Sequence, residues 1–285
     1  MRISVIAALA ATAVVTVAVT LTAGGVANAS PALSGYQIVQ SSQYSVDPNT
    51  SAETTVTCPA GMVPTSGGES NGSSGSVHLV KSSPYQNSWS TAVFNTGSTW
   101  ATYSTYAVCV SGLSSYQVVW SNSLTVGANG IPTQIQAYCP SGLSIIGGGF
   151  STGGPDNVQL YASDVIDPSG GQQDSWGVTL ANRNGRDIIA QSIVVCGAGV
   201  TVQRLTQEEW ISGQYTSVTA HCPAGMSLLG GGVFSISEGG TGFVWQGVIT
   251  DSWPSSSTAW TAYDYPTYEG NEPSIAFDVS AICAS

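Results

Sequence analysis

The most constraining feature of this chain is a sequence pattern that occurs three times. Each copy opens with a Cys-Pro-small-Gly turn, continues through a glycine cluster and a proline-containing loop to a tryptophan, and closes with a second cysteine. The opening and closing cysteines of the three copies are Cys58 and Cys109, Cys139 and Cys196, and Cys222 and Cys283. Such self-similarity means that one structural unit is used three times, so the repeat sets the architecture before any other feature is considered.

Residues 1–29 are predicted to be a signal peptide rather than part of the fold. Arg2 gives a short positive start, an uncharged apolar stretch follows, and Ala27-Asn28-Ala29 is a small-x-small cleavage signal. The alternative is an uncleaved membrane anchor, because the apolar stretch is long enough to span a bilayer. The cleavage signal favours removal, so we expect a secreted, extracellular chain that makes no membrane contact after cleavage.

The charge balance excludes several classes of partner. The chain carries 5 lysines and arginines against 16 aspartates and glutamates, a formal net charge of −11. Binding to nucleic acid or to an anionic membrane surface requires clustered basic residues, which this sequence lacks. Aromatic and β-branched residues are plentiful, so the low total charge does not indicate disorder.

The six cysteines fall two to a repeat, and secretion makes disulfides the default interpretation. The repeat favours the pairing that is the same in every copy: Cys58–Cys109, Cys139–Cys196 and Cys222–Cys283. Zinc binding is disfavoured because the cysteines do not form C-x-x-C pairs and only His78 and His221 offer imidazole ligands. We predict no cofactor and no metal ligand.

Calcium binding is a separate hypothesis, because the protein is acidic and predicted to be extracellular. Asp164, Asp167 and Asp174 lie close together around a loop rich in serine and glycine. Calcium requires six to eight oxygen ligands, and this spacing matches neither an EF-hand nor a glycine-aspartate repeat. The interpretation of these acids as solvated surface charge is therefore preferred.

Alternating segments predict five or six short strands in each repeat and almost no helix. At most one helical turn is expected, at Gln207-Glu208-Glu209-Trp210. The glycine clusters predict bulges or close backbone approaches, because neither a helix nor a lysine follows them as in a phosphate-binding loop. The repeated Trp89, Trp176 and Trp260 are predicted to be core residues.

The fold class is therefore predicted to be all-β, with repeats at 30–113, 114–200 and 201–285. Two architectures remain open: three tandem small β-sandwiches, each stapled by a disulfide, or one pseudo-threefold β-prism in which each repeat gives one face. Short junctions without proline favour the compact assembly.

The Cys-Pro-x-Gly turn, the glycine cluster, the tryptophan and the closing cysteine resemble repeats in secreted actinobacterial proteins of unassigned function. This resemblance covers the chain after residue 29 and implies a scaffold without an activity. The threefold repetition and the Cys-Pro-x-Gly turn are also similar to the vitelline membrane outer layer family. That family implies a β-prism, although its repeats are shorter.

No catalytic motif stands outside the repeat. Neither His78 nor His221 is accompanied by a nucleophile elbow, so both are expected to be surface strand residues. An extracellular hydrolase would need two carboxylates facing one cleft, and Asp251, Asp264 and Glu269 in repeat 3 are the best candidates. A secreted protease inhibitor that presents a proline-containing loop is another alternative.

Binding to an extracellular glycan or protein has the most physical support, because sugar rings stack on exposed aromatic faces. Aromatic residues concentrate in repeat 3, where proline interrupts the strands. The candidate ligand contacts are Trp253, Tyr263, Asp264, Tyr265 and Tyr268. The residues that recur between copies are scaffold and the polar residues vary, so any site is expected within one repeat or at a seam between repeats.

Overall fold

The computed structural model describes residues 33–72, 75–153, 157–167, 173–211, 215–239, 242–244, 247–266 and 275–285. This part of the chain is all-β, as predicted, and contains no helix. The predicted signal peptide lies outside it. Among the described residues there is no helix with the length and apolar character to cross a membrane.

The three repeats have similar strand orders along the chain. Repeat 1 contains β1 (Gly35–Gln40), β2 (Tyr44–Val46), β3 (Ser51–Thr57), β4 (Val63–Ser70), β5 (Val77–Tyr85), β6 (Ser88–Asn95) and β7 (Ala101–Ser111). Repeat 2 contains β8 (Ser115–Trp120), β9 (Leu124–Val126), β10 (Thr133–Tyr138), β11 (Ser144–Thr152), β12 (Val158–Ile166), β13 (Ser175–Asn182) and β14 (Ile188–Ala198). Repeat 3 contains β15 (Val202–Ile211), β16 (Thr216–His221), β17 (Ser227–Gly239), β18 (Gly242–Val244), β19 (Gly247–Ser256), β20 (Ala259–Pro266) and β21 (Ile275–Ala284).

Each repeat folds into two layers that pack face to face. Layer A contains the first long strand, the glycine-bearing strand and the last strand, which are β1, β4 and β7 in repeat 1, β8, β11 and β14 in repeat 2, and β15, β17 and β21 in repeat 3. Layer B contains the three strands between them: β3, β5 and β6, then β10, β12 and β13, then β16, β19 and β20. The two layers of a repeat contact each other through their central strands.

The predicted disulfides are confirmed in all three repeats. Each joins the cysteine that follows the edge strand of layer B to a cysteine in the central strand of layer A, with Cα–Cα distances of 5.6, 5.7 and 5.6 Å. In the part of the chain that the structure describes no cysteine is free. The crosslinks therefore hold the two layers of each repeat together.

The three sheets do not coincide with the three repeats. The strand orders are β1-β7-β4-β19-β20-β16, β15-β21-β17-β12-β13-β10 and β8-β14-β11-β5-β6-β3. Each sheet thus joins layer A of one repeat to layer B of another, in a closed cycle of three. The predicted pseudo-threefold, β-prism-like assembly of three repeats is confirmed, except that each face is shared by two repeats instead of coming from one. The alternative of independent tandem sandwiches is wrong, because strands from different repeats pair edge to edge.

We call the three junctions between repeats seam 1, seam 2 and seam 3. Seam 1 joins β4 to β19, seam 2 joins β17 to β12, and seam 3 joins β11 to β5. Only one or two residue pairs are in register at each seam, such as Glu69 with Ser252 and Phe150 with Ser82. The seams are therefore short contacts between otherwise complete two-layer units.

The glycine cluster explains how the two layers of each repeat pack against each other. A Cβ on the middle glycine would lie 2.5 Å from the indole of Trp89 at Gly67, 2.2 Å from that of Trp176 at Gly148 and 2.1 Å from that of Trp260 at Gly231. All three indoles are buried, and each donates its Nε1 hydrogen to a serine hydroxyl, at 2.9, 3.1 and 2.9 Å. The tryptophans are thus core residues, as predicted, and glycine provides the flat surface they require.

The first position of the cluster lies where the three repeats meet. A Cβ on Gly230 would approach the Cβ of Ser66 to 2.8 Å, and one on Gly147 would approach it to 3.0 Å and the Thr65 carbonyl oxygen to 2.1 Å. The Thr65 hydroxyl donates to the Leu229 carbonyl oxygen at 2.5 Å. These contacts define a pseudo-threefold axis along which only small residues fit.

One local prediction fails. Gln207-Glu208-Glu209-Trp210 continues β15 instead of forming a helical turn. The strand pairs with β21 over its whole length, from Val202 with Ala284 to Ile211 with Ile275. Pairing along β21 satisfies the backbone groups of both strands, whereas a helical turn would leave that part of β21 paired with β17 alone and unpaired on its other side.

Candidate binding site at the seams

The three seams present different side chains at equivalent positions. Beside the third glycine of the cluster, the outward residue is Trp253 in seam 1, Asp164 in seam 2 and Ser83 in seam 3. On the other side of that glycine lie Tyr106, Ser280 and Ile193, respectively. One scaffold thus carries an aromatic, an acidic and a largely apolar junction.

Seam 1 contains an aromatic stack, which we define as Trp253, Tyr263 and Tyr215. The Trp253 and Tyr263 rings are parallel to within 3°, with centroids 5.7 Å apart. Tyr263 and Tyr215 are parallel to within 20°, with centroids 4.7 Å apart. All three side chains are half-buried. Both faces of the Tyr263 ring are therefore covered by its neighbours, and only the end members of the stack have a face to offer.

Asp251 lies at the base of this stack and is fully buried. Its carboxylate accepts hydrogen bonds from the Asn71 backbone nitrogen at 2.6 Å, the Tyr215 hydroxyl at 2.8 Å and the Thr250 hydroxyl at 3.3 Å. Burial raises its pKa to about 6, against the lowering effect of these hydrogen bonds. Asp251 thus fixes Tyr215, and through it the stack, rather than facing solvent.

Glu69 occupies the neighbouring strand at seam 1 and points into the interior of repeat 1. The equivalent positions in the other repeats are the buried Phe150 and Val233. Neither carboxylate oxygen of Glu69 has a hydrogen-bond partner among the described residues. Burial, followed by the Asp251 carboxylate, raises the pKa of Glu69 well above its usual value. Burial at this position therefore favours the neutral form of the side chain.

The five predicted contact residues do not share one surface. Trp253 and Tyr263 lie together in the aromatic stack, and Tyr265 is exposed, with its ring centroid 6.5 Å from that of Tyr215. Asp264 points to the opposite side of β20 and is fully buried, since successive residues of a strand alternate in direction. Tyr268 lies outside the described residues.

The core environment of Asp264 is polar on one side only. Its Oδ2 accepts a hydrogen bond from the Ser235 hydroxyl at 2.8 Å, while its Oδ1 has no side-chain partner in the described structure. The equivalent residues are the buried Leu180 and Val93. Burial raises the pKa of Asp264 to about 7. An acid therefore stands where two repeats have an aliphatic side chain.

Three other exposed tryptophans and the two histidines lie apart from the aromatic stack. Trp100, Trp120 and Trp210 are exposed singly, with no aromatic stacking partner in the described part of the chain. His221 is exposed, as expected for a surface strand residue. The prediction for His78 is wrong, since it is half-buried and burial lowers its pKa.

The three acidic residues of the calcium hypothesis do not form one site in the structure. Asp164 is buried on β12, where it accepts hydrogen bonds from the Ser280 hydroxyl and the Val165 nitrogen, both at 2.6 Å. Asp167 and Asp174 flank residues 168–172, which lie outside the described residues. Within the described ranges no group of three histidine, cysteine or acidic side chains could hold a metal ion.

Sequence reasoning missed Tyr215, which is a member of the aromatic stack, and Tyr106, which lies two strands from Trp253. The two residues lie far from Trp253 along the chain, and Tyr106 belongs to a different repeat. Placing Tyr106 required the cyclic pairing of layer A of repeat 1 with layer B of repeat 3, whereas Tyr215 depends on the pairing of β16 with β20 within repeat 3. A position-by-position alignment of the repeats shows which residues vary, but not which repeats share a sheet.

No protein-family model matches this chain, and no curated protein is significantly similar to it. The resemblance to secreted actinobacterial repeats and to the vitelline membrane outer layer family stays a prediction.

Proposed function

We propose that this chain is a secreted, non-catalytic β-repeat protein that binds an extracellular glycan at seam 1. The N-terminal cleavage pattern supports secretion, and the three disulfides fit folding in an oxidising compartment. The partial exposure of Trp253 and Tyr263 in the aromatic stack at seam 1, where the equivalent residues of seams 2 and 3 are buried, supports a binding role at that seam.

The observation that carries the proposal is the position of Trp253 beside a glycine. One face of its indole is covered by Tyr263, which lies on β20. The other face is directed toward β4 and β7, where Gly68 contributes no side chain and Tyr106 is the next outward residue. A Cβ on Gly68 would lie 1.7 Å from the Ser252 carbonyl oxygen and 3.3 Å from the Cα of Trp253, so the backbone of β19 packs directly against this glycine.

The spacing suits a single sugar ring. Trp253 and Tyr106 are two strands apart, which separates their backbones by about 10 Å. A ring in van der Waals contact with a flat group on each side needs about 7–8 Å between those groups. In this proposal one pyranose ring lies in the gap between the Trp253 indole and the Tyr106 phenol.

Polar groups border the same gap. The Tyr106 hydroxyl accepts a hydrogen bond from Gln40 Nε2 at 2.8 Å, which leaves its own hydrogen free to be donated to a ligand. Burial, with the carboxylates of Glu69 and Asp251, raises the pKa of Tyr106 and keeps the phenol protonated. The gap thus combines an aromatic face with a hydroxyl donor and an amide.

The acids of repeat 3 do not support the hydrolase alternative. A general acid or base must come within hydrogen-bond reach of its substrate. Asp251 and Asp264 are both fully buried, and Asp264 points into the core of repeat 3. Glu269 lies outside the described residues. Their raised pKa values follow from burial inside the fold, so a binding function is preferred over catalysis.

The test is a glycan-array screen followed by pull-down on insoluble polysaccharides. We expect binding that Trp253→Ala abolishes and Tyr106→Phe weakens several-fold, since the latter removes one hydrogen bond of about 1 kcal/mol. Trp100→Ala is the matched control, because Trp100 is more exposed and lies away from seam 1. Absence of binding to any polymer, or equal loss in the Trp100 variant, would refute the proposal.

A further inference from the structure

Seam 2 contains a pocket that the glycan proposal does not use. It has a volume of about 200 Å³ and is built from both repeats that meet there. Its apolar wall contains Ala162, Val165, Ile166 and Phe234. Its polar groups come from Gln134, Asp164 and Thr179 of repeat 2 and from Asp278 and Arg204 of repeat 3, with Gln134 directly across from Thr179 in the register of β10 and β13.

Two oxygen atoms in this pocket lack hydrogen-bond partners. Thr179 is only 1% exposed, and its Oγ1 has no partner among the described residues. Asp278 Oδ1 is also buried without a partner there. A buried polar atom without a partner is costly and is rare in native structures, which points to a missing donor at this position.

The pocket is also short of positive charge. Asp164 and Asp278 face it, and Glu208 lies directly across from Asp278 in the register of β15 and β21. Arg204 is the one basic residue that lines it, and its Nη1 donates to the Val165 carbonyl oxygen at 2.8 Å. Burial, then Glu208 and Asp164, raise the pKa of Asp278 to about 6, while Arg204 lowers it.

From these observations we infer that the seam 2 pocket binds a primary ammonium group carried on a short apolar stem. An ammonium group has three N–H donors. Asp278 Oδ1, Thr179 Oγ1 and the Asp164 carboxylate supply three acceptors around it, and the apolar wall contacts the stem. The chemistry is that of a small aliphatic amine or a lysine side chain.

Other ligand classes fit less well. An anion would be repelled by the two carboxylates. A calcium ion is disfavoured because no group of three histidine, cysteine or acidic side chains among the described residues could hold a metal ion. A neutral sugar would leave the charge of both acids uncompensated. This inference is independent of the glycan proposal, because it concerns a different seam and different residues.

The test is calorimetric titration of the full protein with n-butylamine, with n-butanol as the neutral probe of equal length. We expect binding of the amine and none of the alcohol. Asp278→Asn should weaken binding about tenfold or more, since a hydrogen bond to a charged group contributes about 1.5–3 kcal/mol. Arg204→Gln should strengthen it, because a competing positive charge is removed.

The dependence on pH gives a second readout. Affinity for the amine should rise as the pH increases through about 6, as Asp278 loses its proton. Near that pH, binding should release protons, so the measured heat should vary with the ionisation enthalpy of the buffer. Thr179→Val, which removes one acceptor without changing charge, should weaken binding and retain this pH dependence.

Three results would overturn the inference. Equal affinity for butylamine and butanol would show that the pocket recognises only the apolar stem. Calcium binding that Asp278→Asn abolishes would assign the acids to a metal instead. Unchanged affinity in both Asp278→Asn and Arg204→Gln, with thermal unfolding showing that both variants are folded, would remove the charge argument.

Discussion

Replacing Asp264 with asparagine should stabilise this protein at neutral pH and reduce the dependence of its stability on pH. Burial raises the pKa of Asp264 from 3.8 to about 7. A carboxyl group with a raised pKa in the folded state holds its proton more tightly there than in the unfolded chain. Its stabilising contribution is therefore complete below pH 3.8 and is lost as the pH rises toward 7.

The magnitude follows from the two pKa values. Each tenfold change in an ionisation constant corresponds to about 1.4 kcal/mol, so burying the ionised carboxylate costs roughly 4 kcal/mol above neutral pH. Asparagine retains an oxygen to accept the hydrogen bond from the Ser235 hydroxyl and carries no charge. The gain from Asp264→Asn should therefore grow by about 3 kcal/mol between about pH 4.5 and about pH 7.5.

The assay is urea unfolding followed by tryptophan fluorescence, with the disulfides intact, at several pH values. Asp47→Asn is the control, because it removes an exposed carboxylate and the same unit of net charge. The free energy of unfolding of Asp264→Asn should diverge from that of the wild type as the pH rises. Parallel curves for the two proteins would refute the burial argument.

Three further predictions concern the scaffold. Gly148→Ala should lower the free energy of unfolding by about 1–3 kcal/mol or more, because the added Cβ would overlap the Trp176 indole. Gly185→Ala is the control and should be neutral, since nothing lies within 4 Å of its Cβ position. Urea unfolding of both variants tests this difference. Removal of the Cys222–Cys283 disulfide by double substitution with alanine should cost up to about 4 kcal/mol in the same assay, and an unchanged midpoint would contradict this. Glu69→Gln should raise the melting temperature above neutral pH but not in acid, because the Glu69 carboxyl becomes a buried charge only as the pH rises. An equal change in melting temperature at both pH values would contradict this prediction.

The sequence repeat predicted much of the fold because its residues have strict local requirements. A disulfide needs two cysteines, and a large buried indole needs a flat neighbour. The pairing of Cys139 with Cys196 and the burial of Trp176 were therefore predictable from one copy compared with the others.

The sharing of sheets and the content of the seams were not predictable. Strand pairing between repeats involves only one or two residue pairs per seam, such as Glu69 with Ser252. So few pairs leave no periodic signal in the sequence. The direction of Asp264 also depends on the register of β20, because a shift of one residue would have placed it on the outer surface and turned Tyr263 toward the core.

The contact of Ser66, Gly147 and Gly230 at the pseudo-threefold axis has a consequence for how this architecture can change. Open repeat arrays lengthen by duplication and need special terminal units to cover their ends. Here the first repeat pairs with the last, so the ring has no end to cover. A fourth unit would separate the three small residues that touch at the axis and leave a channel along it. Diversity in such proteins is therefore expected within the junctions of a three-unit ring rather than in the number of units.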